Sequence, residues 1–150
     1  MPDRMPGVLQ DGADGEDVPD TAEQPTLLLI EDDSMVGRFI AHAGEECGFR
    51  SVRTMRMERF ASAFAERKPD AAAVDLCVPG ADGVEVIRFL ARERFDGPVL
   101  IISGMDPRVV ASAMRLGQAL GLNMAEPLQE PFRVGDLARR LDVRLNVESS

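Results

Sequence analysis

Residues 26–33 read TLLLIEDD, a run of apolar side chains that ends in three carboxylates. A short apolar run that stops at a polar cluster is typical of a strand buried on both faces of a parallel sheet. Two further segments have the same character, AAAVDL at residues 71–76 and PVLIIS at residues 98–103. Together they predict the central strands of an α/β fold.

The intervening segments complete an alternating pattern. Residues 49–54 (FRSVRT) and residues 124–128 predict two further strands, and the apolar residues between strands recur every three to four positions, which predicts amphipathic helices. Five strands that alternate with five helices favour a parallel sheet with right-handed crossovers and helices on both faces. The predicted inward helix residues are Val36, Phe39, Ile40, Ala43 and Cys47; Met57, Phe60, Ala61 and Phe64; Val110, Ala113 and Met114; and Val134, Leu137, Leu141 and Leu145.

Capping residues predict where the helices begin and end. Ser34 is the expected N-cap of the first helix, and Gly48 follows its last turn. The third helix is expected to extend to about Arg94, and the last helix to begin near Arg133.

The length and composition of the chain predict its domain and tails. Its 150 residues suit one domain, here 26–145. Residues 1–25, rich in Pro, Gly, Asp and Glu, predict a disordered acidic tail, and 146–150 a flexible C-terminal tail.

Charge and hydropathy exclude some classes of protein. The net charge of -9 and pI near 4.6 disfavour direct nucleic-acid binding, because phosphates need basic counter-charges. No apolar run approaches the ~18 residues of a membrane span, and there is no apolar leader. Two cysteines are too few for a disulfide framework. We therefore expect a cytoplasmic protein without membrane insertion.

Polar side chains end four of the predicted strands. Glu31, Asp32 and Asp33 follow the first strand, Asp75 ends the third, Ser103 ends the fourth, and the fifth runs into Glu130. Because open parallel sheets bind ligands outside the carboxyl ends of their strands, we expect these residues to share a pocket. Crowded carboxylates repel one another, and oxygen donors of this kind suit Mg²⁺, which relieves the repulsion. A carboxylate beside such an ion can act as a nucleophile toward a phosphoryl group.

The sequence resembles the receiver domain of two-component response regulators over residues 26 to about 145. LLLIEDD is similar to the acidic pair after the family's first strand, VDLCVPGADG to its phosphoacceptor segment, IIS to its strand-four Ser/Thr, and EPF to its Lys-Pro-Phe. The resemblance implies a flavodoxin-like sheet of five parallel strands in the order 2-1-3-4-5 with five helices. It also implies a single-domain phosphorelay protein, a phosphoacceptor rather than an enzyme.

The resemblance assigns roles to the strand-end residues. Asp75 is the implied phosphoacceptor and Ser103 the switch hydroxyl. Glu31, Asp32, Asp75 and the backbone carbonyl of Cys77 are the implied Mg²⁺ ligands. The implied partner is a histidine kinase or phosphotransfer protein that docks beside the first helix. A homodimer through helix four, strand five and helix five is a further possibility.

Two positions depart from the family pattern. Glu130 stands at the position of the family's lysine, and Pro127 at that of its strand-five aromatic residue. The chain's one lysine, Lys68, precedes the third strand at the opposite end of the sheet, whereas Arg108 and Arg133 lie nearer the site. A unit charge ~5 Å from the phosphoryl group at an effective dielectric of ~20 is worth about 3 kcal/mol, so charge reversal costs up to roughly 6 kcal/mol before screening.

These departures leave three interpretations. In the first, Asp75 is still phosphorylated but the signal leaves by another route. In the second, the domain is a degenerate receiver that acts as a phosphorylation-independent interaction module. The third is a Mg²⁺-dependent phosphatase-like enzyme or small-ligand binder, which lacks support because no Gly-rich phosphate loop is present. We expect Glu130 to keep the pocket competent for Mg²⁺ but to weaken phosphoryl retention.

Overall fold

The computed structural model describes residues 8–9, 24–76, 83–103 and 107–149. The strands are β1 (Thr26–Ile30), β2 (Arg50–Thr54), β3 (Ala71–Asp75), β4 (Pro98–Ser103), β5 (Asn123–Met124) and β6 (Leu128–Gln129). The helices are α1 (Ser34–Glu46), α2 (Met57–Arg67), α3 (Gly83–Arg92), α4 (Pro107–Ala119) and α5 (Val134–Ser149).

The strands form one parallel sheet. Its order is β2-β1-β3-β4-β5, and β6 also pairs with β4. A two-residue strand, Val8–Leu9, pairs with the outer side of β2. The predicted flavodoxin-like order 2-1-3-4-5 and the five helices are therefore confirmed.

The fifth sheet position is divided between two short strands, so the predicted continuous strand at 124–128 is wrong. β5 pairs with the start of β4, at Pro98 and Val99, and β6 pairs with its end. Pro127 lies between them, and a proline has no N–H to donate to a strand ladder. The carbonyl of Pro127 accepts a hydrogen bond from the Nε of Arg140, at 3.2 Å.

Both faces of the sheet are buried, because successive side chains of a strand point to opposite sides. One face packs against α2, α3 and α4, and the other against α1 and α5. The first face carries Leu28, Ile30, Ala72, Val74, Val99 and Ile101 against Phe60, Val86, Ile87, Leu90, Val110 and Ala113. The second carries Leu27, Leu29, Ala71, Ala73, Leu100 and Ile102 against Ile40, Ala43, Leu137 and Leu141.

Two predicted helix boundaries are wrong. Asp33, not Ser34, is the N-cap of α1: its Oδ1 accepts hydrogen bonds from the N–H groups of Met35 (2.9 Å) and Val36 (3.1 Å). The third helix ends at Arg92 rather than near Arg94, because Arg94 adopts a left-handed φ of 58°.

One predicted core residue lies at the surface. Phe39 is 39% exposed, and its ring contacts that of Phe132 at a centroid distance of 5.4 Å. This pair joins α1 to the segment that precedes α5.

Regular secondary structure is present on both sides of the predicted domain, residues 26–145. Helix α5 runs to Ser149, past the predicted limit at residue 145. Val8–Leu9 is a strand within the predicted acidic tail, and most of the rest of that tail lies outside the described residues. The tail flexibility and domain limits stay predictions. Within the described ranges, no helix has the length and apolarity that a membrane crossing requires.

Candidate functional site

Three carboxylates meet at the carboxyl edge of the sheet. β1 and β3 are neighbours in register, with Ile30 opposite Val74, so the residues that follow them emerge side by side. One carboxylate oxygen from each of Glu31, Asp32 and Asp75 lies within 4.8 Å of the other two. Glu31 and Asp75 are only 4% and 7% exposed. The structure thus brings together the three side chains expected to hold a cation.

Backbone hydrogen bonds fix Glu31 in this cluster. Its N–H donates to the carbonyl of Thr54 at 3.0 Å, and its Oε2 accepts from the N–H of Asp33 at 3.2 Å. Its other oxygen, Oε1, is buried and has no hydrogen-bond partner among the described residues. A buried carboxylate oxygen without a donor is costly, so this atom favours a ligand that accepts its lone pairs.

The electrostatics of the cluster are strongly negative. Burial is the main cause that raises the pKa of Glu31 to about 8, and the charges of Asp75 and Glu130 act in the same direction. The hydrogen bond from the N–H of Asp33 opposes this shift. Repulsion between neighbouring carboxylates and loss of solvent therefore favour either a proton or a cation in this pocket.

Ser103 and Glu130 lie beside the cluster. Ser103 ends β4, which neighbours β3, and is 1% exposed. The N–H of Glu130 donates to the carbonyl of Ser103 at 3.2 Å, which holds the segment after β6 against the end of β4. Partial burial of the Glu130 carboxylate, then the charges of Asp75 and Asp33, raise its pKa. Glu130 is exposed and is not one of the three closely spaced carboxylates, so it lies at the rim of the site.

The other residues named in the sequence analysis lie in different parts of the molecule. Lys68 precedes β3 and so lies at the opposite end of that strand from Asp75. Arg108 and Arg133 are exposed at the starts of α4 and α5. Cys77, expected to offer its backbone carbonyl, lies outside the described residues.

Sequence reasoning missed the contribution of Thr54. Its carbonyl accepts from Glu31, and its hydroxyl donates to the carbonyl of Leu29 at 2.7 Å, so it ties the end of β2 to β1. A threonine at a strand end is common, and its sequence position alone carries no signal of this role. The pairing of Phe39 with Phe132 was missed because Phe39 fits an inward-facing helical pattern.

The predicted dimer face forms a shallow groove of about 640 Å³ between α4, β6 and α5. Val110, Met114, Leu128 and Phe132 contribute apolar surface to it. Two of the three arginines that line it are engaged within the chain: Arg139 pairs with Asp136 at 2.7 Å, and Arg140 donates to backbone carbonyls, including that of Asp136. These two arginines are therefore less available to an acidic partner.

The donor set fits a divalent cation of the Mg²⁺ type. Glu31, Asp32 and Asp75 supply only hard oxygen atoms, which Mg²⁺ prefers, and the unpartnered Oε1 of Glu31 belongs to the same group of residues. When bound, such an ion would neutralise negative charge on phosphoryl oxygens.

The chain matches a known protein family over most of its length. The family described as the response regulator receiver domain matches residues 27–142. The chain belongs to this family. Receiver domains are signalling domains of two-component systems that bind Mg²⁺ at an acidic pocket and interact with histidine kinases or phosphotransfer proteins.

Curated relatives of this receiver domain are transcriptional regulators. The KDP operon transcriptional regulatory protein KdpE of Escherichia coli (strain K12) is 33% identical over 124 residues, which cover 83% of this chain and 52% of the relative. The phosphate regulon transcriptional regulatory protein PhoB of Pseudomonas aeruginosa is 25% identical over 120 residues, which cover 77% and 49%. The chain spans about half the length of these relatives.

Solved receiver domains share the fold. The BeF3-activated N-terminal receiver domain of Klebsiella pneumoniae RstA is 26% identical with a TM-score of 0.67, over 80% of this chain and 97% of that chain. A response regulator from Colwellia psychrerythraea is 26% identical with a TM-score of 0.67, over 82% and 98%.

Proposed function

We propose that this receiver domain accepts a phosphoryl group on Asp75 with Mg²⁺ held by Glu31, Asp32 and Asp75, as a component of a phosphorelay. The observation that carries the proposal is the approach of the three carboxylates to within 4.8 Å of one another at the carboxyl edge of the sheet. Asp75 is the central member, because β3 lies between β1 with its acidic pair and β4 with Ser103.

The chemistry proposed for Asp75 is nucleophilic. A carboxylate oxygen forms a bond to the phosphorus of the donor as the bond from phosphorus to the donor's leaving group breaks, and the leaving group departs with the electron pair. The buried surroundings of Asp75 exclude most bulk water, which strengthens local electrostatic interactions. The hydroxyl of Ser103 is proposed to donate a hydrogen bond to a transferred phosphoryl oxygen.

Glu130 limits how long the phosphoryl group stays. Where the family has a cation, this chain has a carboxylate that interacts unfavourably with Asp75. Repulsion between Glu130 and the phosphoryl oxygens lowers the occupancy of the phosphorylated state. A third of the unscreened ~6 kcal/mol would still lower that occupancy more than tenfold.

The test is modification by a small donor. With Mg²⁺ and acetyl phosphate, intact mass spectrometry is expected to show partial addition of one phosphoryl group to the native chain and none to Asp75→Asn. At saturating Mg²⁺, Glu130→Lys is expected to raise the modified fraction. Stable, complete modification of the native chain would contradict the role of Glu130. If neither the native chain nor Glu130→Lys is modified, the chain acts instead as a phosphorylation-independent interaction module.

Two surfaces of the fold are proposed to bind partners. A histidine kinase or phosphotransfer protein would dock beside α1, where Met35 is 76% exposed next to the acidic cluster and the Phe39–Phe132 pair joins the same helix to the segment before α5. The α4–β6–α5 groove is the proposed homodimer face. Light scattering with and without beryllofluoride tests the dimer, and an unchanged monomer mass would exclude it.

A further inference from the structure

Glu130 has a second consequence, which concerns the cation rather than the phosphoryl group. We infer that Glu130, which lies where the family has a lysine, raises the affinity of the pocket for a divalent cation. The inference rests on the cation site of the proposed function and adds a determinant to it.

The acidic cluster requires positive charge. Glu31, Asp32 and Asp75 place three carboxylates within 4.8 Å, and two of the three residues are more than nine-tenths buried. The buried Oε1 of Glu31 has no hydrogen-bond donor among the described residues. The site is therefore assembled for a ligand that supplies positive charge to this oxygen and to the neighbouring carboxylates.

Glu130 is held close enough to act on this cluster. Its N–H donates to the carbonyl of Ser103, the residue after Ile102, and Ile102 lies opposite Asp75 where β4 pairs with β3. Glu130 lies outside the close cluster, so it acts on the ion through its field or through an intervening water rather than as one of the three closely spaced ligands.

The sign of its effect on a cation is favourable. A positively charged residue in place of Glu130 would change the local charge by two units and repel the metal ion. A unit charge within about 7 Å of a divalent ion changes the binding constant by roughly tenfold even at a dielectric constant near that of water. Glu130→Gln should therefore weaken cation binding up to about tenfold, and Glu130→Lys up to about a hundredfold.

Residue 130 then has opposite effects on the two ligands of the pocket. Glu130→Lys should improve phosphoryl retention and weaken cation binding in the same molecule. A change that merely disordered the site would weaken both, so the opposite directions separate an electrostatic role from a structural one.

The experiment is a Mn²⁺ titration by isothermal calorimetry on the full chain without a phosphodonor, since Mn²⁺ takes the same oxygen ligands. The native chain, Glu130→Gln and Glu130→Lys are compared with Glu126→Gln, which removes an exposed carboxylate four residues earlier. We expect weaker binding in the order native, Gln, Lys, an unchanged constant in Glu126→Gln, and smaller differences at high salt because the effect is Coulombic.

Three results would overturn the inference, and one of them would also remove the cation site. Equal Mn²⁺ affinity in the native chain and Glu130→Gln would refute the role of Glu130 and leave the cation site standing. Absence of Mn²⁺ binding in every variant would remove the cation site as well. A difference that persists undiminished at high salt would also refute the inference, because it would assign the effect to altered folding instead of charge.

Discussion

At the scale of single residues, the role of a carboxylate depends on where the backbone places it. Asp33 and Glu31 are separated by one residue, yet Asp33 is exposed and caps a helix whereas Glu31 is buried in the acidic cluster. Asp75 and Glu130 interact although they follow different strands. The same side-chain chemistry therefore caps a helix at one position and forms part of a buried acidic cluster at another.

The N-cap of α1 is Asp33, and the neighbouring Ser34 serves as a control for its effect on stability. Asp33→Ala removes the acceptor of two backbone N–H groups and should lower the free energy of unfolding by about 1 kcal/mol. Ser34→Ala should change it by less than about 0.5 kcal/mol, because Ser34 is exposed and lies one residue inside the helix. Urea unfolding of both variants checks this, and a larger loss in Ser34→Ala would contradict the assignment.

Glu45, a carboxylate of α1 outside the acidic cluster, should make the stability of the fold depend on pH. Burial raises its pKa from 4.5 to about 7, and its Oε2 has no hydrogen-bond partner in the described part of the chain. Between pH 4.5 and about 7, the Glu45 carboxyl keeps its proton in the folded chain and loses it in the unfolded chain. The free energy of unfolding therefore falls as the pH rises through this range, and the loss is constant above about pH 7.

Glu45→Gln should therefore gain stability relative to the native chain as the pH rises from about 5 to about 8, by on the order of 2 kcal/mol. Unfolding measured at both pH values tests this. Glu66→Gln, which removes an exposed carboxylate from α2, is the control. A stability difference that does not change with pH would show that Glu45 keeps its ordinary pKa.

At the scale of elements, close contact between α1 and the sheet depends on a glycine. A Cβ at Gly44 would lie 2.7 Å from Cδ2 of Leu27 and 2.8 Å from Oγ of Ser51, both buried side chains. The Oγ of Ser51 also donates to the carbonyl of Ala41 at 2.8 Å, which links β2 to the same helix. Any side chain at position 44 would thus push the helix away from these contacts.

Gly44→Ala should destabilise the fold by about 1–2 kcal/mol, because overpacking outweighs the gain in helix propensity. Gly135→Ala is the matched control, since an added Cβ there meets nothing within 4 Å and should leave stability unchanged or raise it by up to about 1 kcal/mol. Thermal unfolding of the two variants measures both effects, and equal shifts in both would contradict the packing argument.

At the scale of the whole molecule, the fold was predictable where pattern and burial agree. β1, β3 and β4 are continuous apolar runs with almost no exposed face, so their sequence identified them, and the alternation of strands with helices predicted a parallel sheet. The divided fifth strand was not predictable, because the break depends on where Pro127 falls relative to the ends of β4.

The site was predictable in location but not in energetics. Strand ends in a parallel sheet meet by topology, so the sequence alone was enough to predict that Glu31, Asp32 and Asp75 lie together. The backbone anchors on Glu31, and the rim position of Glu130, depend on loop conformations that contain no periodic pattern. Residue types therefore indicated the chemistry, whereas the three-dimensional arrangement determines which carboxylates are buried and which lie at the rim.

The most direct test of the central claim is formation of a beryllofluoride adduct followed by 19F NMR as Mg²⁺ is titrated. We predict a protein-bound fluoride signal that requires Mg²⁺, disappears in Asp75→Asn and grows stronger in Glu130→Lys at saturating Mg²⁺. A bound signal that forms equally without Mg²⁺, or that survives Asp75→Asn, would contradict the assignment of the three carboxylates to a cation-dependent phosphoacceptor site.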